Sequence, residues 1–117
     1  MTAAHGIAAS AVLVAVMLFG LLQAVSVVGK LPQRAAHGAE LALTLILGLQ
    51  VVLGAVVLLG GARPREPLHF LYGAASLGVI PLARSFAAEA PARPRAAVMV
   101  GAAVVLLLLL WRLASTG

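Results

Sequence analysis

Three histidines are the residues best able to do chemistry in this chain: His5, His37 and His69. His5 opens one apolar stretch and His69 another, two stretches further on. If consecutive stretches run antiparallel, those two run the same way, and both imidazoles lie about one turn inside the same face. Two neutral imidazoles facing each other suit a metal with two axial positions, for which haem iron is the usual occupant. A bare two-histidine zinc site needs further N or O ligands, and Glu66 is the nearest carboxylate, so zinc is the poorer fit. On the His69 face, Gly73 follows at i+4 and Ser76 at i+7; on the His5 face, Ala8, Ala9 and Val12 follow. Small side chains there leave room for a flat ring. Tyr72 is placed to pack on a ring edge, and Arg63 and Arg65 to pair with propionates at the surface. His37 lies near the opposite face and reads as an interfacial histidine.

The other polar residues within apolar stretches are few. Gln50 stands in mid-stretch with Gly54 four residues on, and Gln23 stands in the first stretch; both read as hydrogen-bonding glue between helices. No carboxylate occurs from Met1 to Ala39, and Glu40, Glu66 and Glu89 lie near ends or in loops. That argues against a small proton-coupled exporter, which needs an acid deep in its first helix.

The elements that must position these groups are spanning helices. The chain has 117 residues, 63% hydrophobic and 9% charged, with a mean hydropathy of +1.15. Such a composition cannot cover a core with polar surface, so the bilayer is the fitting solvent. A span takes about 20 apolar residues, and four stretches qualify, at about 4–28, 36–60, 68–84 and 96–113. Gly29 to Arg34, Gly61 to Pro67 and a Pro-containing loop from Arg84 to Arg95 separate them. Pro81 is expected to kink or end the third. The first lacks a cationic flank and exceeds a signal-peptide core, which predicts a retained helix. The expected architecture is an all-α integral membrane protein, a single domain forming an up-down four-helix bundle.

No cysteine is present, so disulfides and thiolate metal sites are excluded. The net charge of +5 sits at helix ends. With no basic run and little aromatic content, it sets orientation and does not bind nucleic acid. Lys30, Arg34, Arg84, Arg93 and Arg95 flank one face and Arg63, Arg65 and Arg112 the other. The more cationic face is the expected cytoplasmic one, with both termini outside.

The run Leu49-Gln50-Val51-Val52-Leu53-Gly54, followed by Pro67-Leu68-His69-Phe70-Leu71, resembles one four-helix half of the haem A synthase family. The likeness covers roughly Gly48 to Leu77, and loosely His5-Gly6-Ile7-Ala8-Ala9 in the first helix. It implies a prokaryotic plasma membrane, with His5 and His69 as axial ligands of a haem, taken as haem b. The chain departs from that family: it is one half, Gly6 stands where an Arg follows the histidine, and no acid precedes His5. The resemblance therefore implies a haem-binding protein for electron transfer or haem handling, without synthase activity. It could act alone, as a homodimer or within a respiratory or assembly complex. The competing expectation is a cofactor-free accessory subunit of such a complex.

Overall fold

The computed structural model describes residues 2–29 and 32–116; Lys30, counted above among the orienting cations, lies outside the described residues. Four helices follow in order, α1 (Thr2–Val27), α2 (Gln33–Leu59), α3 (Leu68–Phe86) and α4 (Ala92–Thr116). There is no strand among the described residues. Long runs of Leu, Ala and Val favour the helix, and the prolines punctuate it. Pro32 and Pro67 cap α2 and α3, and Pro91 and Pro94 flank the first turn of α4, where no N–H donor is needed. The first stretch ends at Gly29, whose φ of 78° is open to glycine at little cost. Its N–H closes on the Ser26 carbonyl at 2.9 Å.

Two boundaries differ from expectation. α3 runs to Phe86, two residues beyond the expected span, with Pro81 inside it. α4 begins at Ala92 rather than Ala96, so the third connection shrinks and Arg95 joins the first turn of a helix. Pro91 and Pro94 read as loop residues in sequence, whereas prolines in this position start helices.

α1 packs on α2 and α4, and α3 on the same two helices. The core is a column of Val12, Val16 and Phe19 from α1, Leu43 and Leu47 from α2, Ile80 from α3, and Met99, Ala102, Ala103 and Leu106 from α4. α1 meets α4 closely at Gly20, where an added Cβ would lie 3.3 Å from the Ala103 Cβ.

The distribution of polarity is inverted relative to a water-soluble bundle. Glu40, Gln23, Gln50, Ser76 and Arg95 are buried, while Leu59, Leu82, Phe86 and Ile7 stand out at 73–87% exposure. α1, α2 and α4 are each long and apolar enough to cross a membrane, the third of the four expected spans being the shortest helix. These properties fit a membrane location.

Candidate functional site

Polar side chains gather at two levels of the bundle, and α2 contributes to both. His37 and Glu40 lie near its start and Gln50 thirteen residues beyond His37, a separation of about 20 Å along the helix.

At one level α1 presents His5 to α2. The Gln50 Nε2 amide donates to the His5 carbonyl oxygen at 3.3 Å and sits 3.3 Å from His5 Nδ1. Gly54, one turn on, admits the ring: an added Cβ there would lie 3.3 Å from His5 Cε1. Gln50 is thus the inter-helix glue that its position in an apolar stretch suggested, although its Oε1 is buried without a partner. On the other side of the bundle His69 Nδ1 lies 3.1 Å from the Leu113 carbonyl oxygen near the end of α4. A carbonyl only accepts, so this contact fixes the proton on Nδ1 and leaves Nε2 with a free lone pair. Both rings are partly buried.

The remaining residues of the expected site fall unevenly. Beside Gly73, Leu113 comes into ordinary van der Waals range, its Cδ1 4.0 Å from where a Cβ would lie. Ser76 is buried and donates to the Tyr72 carbonyl at 2.8 Å. The Tyr72 ring carries the Arg112 guanidinium, 5.7 Å from its centroid, and the same cation lies 5.9 Å from the Trp111 ring. Arg63 and Arg65 are exposed in the connection before α3 and make no salt bridge among the described residues. Arg112, read in sequence only as a flanking charge, is the cation held against the aromatic residues of α3 and α4.

The second level was not foreseen as a site. Glu40 is fully buried. Arg95 Nη2 donates to its Oε1 at 2.9 Å and its Oε2 at 3.3 Å. Arg84 Nε from the end of α3 lies 3.6 Å from Oε1, and His37 Nδ1 3.4 Å from Oε2. One carboxylate thereby ties the start of α2 to the end of α3 and the start of α4. Arg95 is 8% exposed, lies 3.3 Å from His37 Nδ1 through Nη2, and keeps a buried Nε with no acceptor. The signal lay in the sequence. Glu40 opens a long apolar stretch with His37 three residues earlier, and a buried carboxylate demands cations; reading Arg84 and Arg95 as loop residues hid them.

A haem, the group the resemblance implies, can be tested against these contacts. Only His69 has the arrangement of an axial histidine, its Nδ1 held by an outer partner and its Nε2 free; His5, at the same end of the bundle, does not as its contacts stand. As drawn, His5 Nδ1 accepts from the Gln50 amide, which puts its proton on Nε2. Rotating that amide by half a turn sets Oε1 against an Nδ1–H and frees Nε2, at the cost of the bond to the His5 carbonyl. No set of three or more metal-ligating side chains occurs among the described residues.

Compared with protein-family models, with curated proteins and with solved structures, the chain matches none. The class it defines rests on its own residues: an all-helical protein with three helices long and apolar enough to cross a membrane.

Proposed function

We propose that this chain is an integral membrane bundle of four spanning helices running up and down, which holds a b-type haem axially between His5 and His69 for electron transfer or haem handling. The observation that carries the reading is His69 Nδ1 held 3.1 Å from the Leu113 carbonyl, which leaves Nε2 of the neutral ring with a free lone pair at the end of the bundle where α1, with His5, begins. When bound, haem supplies a one-electron couple; with both axial positions taken by histidine, no site is left for oxygen. Gln50 and the Leu113 carbonyl orient the two rings, Arg112 with Arg63 and Arg65 supplies positive charge for propionates, and Trp111 with Tyr72 marks an interface. α3 rises about 28 Å over its 19 residues, against a hydrocarbon core of about 30 Å. The cationic flank near Glu40 is the cytoplasmic one in this reading, in a prokaryotic plasma membrane, with the termini outside.

The test is the optical spectrum of the detergent-purified protein expressed with haem supplied, oxidised and then dithionite-reduced. A sharp reduced α-band, lost in His5→Ala and in His69→Ala and kept in His37→Ala, is the expected outcome. Protein that stays colourless with added haem refutes it.

One observation favours a second reading, a cofactor-free accessory subunit of a respiratory or assembly complex. The Gly54 face is filled by the His5 ring itself, 3.3 Å from where a Cβ would lie, so His5 serves there as packing. In that case both histidine variants would lose packing alone.

A further inference from the structure

The charge around Glu40 does not balance. Two guanidiniums, from Arg84 and Arg95, face a single carboxylate, with His37 beside them. Arg93 adds a third cation nearby, its guanidinium packed against Gly29 at the end of the first stretch. α2 and α4 both begin here, so two helix N-termini add their positive ends. Glu40 is sealed from solvent, yet the Arg84 side chain is 47% exposed. The surplus positive charge therefore faces outward.

It faces an open cleft of about 410 Å³ lined by His37, Pro81, Arg84, Ser85, Ala88 and Arg95. A shallow, open apolar groove of about 640 Å³ lies between α3 and α4, walled by Val79, Leu82, Phe86, Val98, Ala102 and Val105. Ser85 lines both, so a cationic cleft opens beside an apolar groove. A soluble anion would use only the first and a hydrocarbon only the second. A molecule with a phosphate at one end and an acyl chain at the other uses both.

We infer that this end of the bundle binds an anionic phospholipid, its phosphate on Arg84 and Arg95 and an acyl chain in the groove between α3 and α4. Basic pockets between spanning helices on the cytoplasmic side take such headgroups, and this end is the cytoplasmic one by the count of cations. The inference rests on the membrane reading and not on haem. Arg84, half-exposed, reaches the headgroup from the rim, and Arg95, nearly buried and held by Glu40, lines the cleft behind it and adds its charge.

The test is native mass spectrometry of the delipidated full chain in detergent, titrated with dioleoylphosphatidylglycerol or dioleoylphosphatidylcholine. Phosphatidylglycerol is expected to bind at least about tenfold more tightly, since each cation near the surface contributes about fivefold. Arg84→Gln, at a half-exposed position that leaves the Arg95–Glu40 pair intact, should weaken phosphatidylglycerol about fivefold and leave phosphatidylcholine unchanged. Val98→Trp, filling the groove, should weaken the dioleoyl lipid more than its dihexanoyl analogue. Equal affinity for the two headgroups, or indifference to Arg84→Gln, overturns the inference. So does displacement of the lipid by millimolar inorganic phosphate, which would make this a site for a soluble anion. A chain that stays monodisperse without detergent overturns the membrane reading as well, whereas one that needs detergent but ignores the headgroup overturns this inference alone.

Discussion

Glu40→Gln is the sharpest perturbation available. The carboxylate it removes is 1% exposed and accepts two bonds from Arg95 Nη2, at 2.9 and 3.3 Å. Two unit charges ~4 Å apart attract by about 4 kcal/mol at an effective dielectric of ~20. Removing one partner of a buried pair leaves the other uncompensated and costs about 3–5 kcal/mol. Glu40→Gln leaves Arg95 a neutral amide oxygen and the His37 imidazole at 3.3 Å but no countercharge from α2, so the expected loss is about 3 kcal/mol, the low end for a broken buried pair. Arg95→Gln should cost about 1–2 kcal/mol less, because Glu40 keeps Arg84 at 3.6 Å and His37 at 3.4 Å. The double variant should lose much less than the sum of the two. The assay is reversible unfolding in mixed micelles, followed by helix content, for all four members of the cycle. Single costs that add to within about 0.5 kcal/mol would mean the two groups do not interact, and the account of this level would fail.

Gln23→Leu is expected to raise stability by about 1 kcal/mol in the same assay, since Gln23 is buried and its Nε2 has no partner; a loss of that size would reveal a bond the arrangement does not contain. Gln50→Leu gives up two bonds to His5 but also relieves a buried, unpaired Oε1, so its net effect on the unfolding midpoint should stay below about 1 kcal/mol. Gly54→Leu cannot be accommodated beside His5 Cε1 and should displace the ring; if haem is held there, the reduced α-band should shift or fade while helix content is retained. Gly20→Val crowds Ala103 and should cost about 1–3 kcal/mol by overpacking the contact of α1 with α4.

The helices were legible because apolar runs of this length admit little else, and Gly29, Gly60 and Pro67 announce their ends. That Gln50 bonds to another helix was legible too, since an amide in an apolar stretch must find a partner; that the partner is His5 of α1 was not. Periodicity could not tell which neighbour each face would meet. That Leu113 of α4 would be the neighbour of Gly73 is one such contact. The Glu40 cluster escaped because its three helices meet only in the folded chain. Arg95 is loop-like by its flanking prolines and becomes a buried ligand of Glu40 once those prolines start a helix.

The two ends of the bundle are fastened by different means, and this bears on how it moves. At one end a buried carboxylate grips three helices through charged contacts. At the other, His5, Gln50, His69 and the Glu66 N–H, which donates to the Thr116 carbonyl at 3.1 Å, rely on neutral hydrogen bonds, each weaker than a charge-assisted one. Thermal opening starts where the fastening is weakest. The helices should therefore spread like fingers hinged at Glu40, parting first around the histidines. A guest at that end could be admitted by a local breath of the bundle, with the far end never letting go.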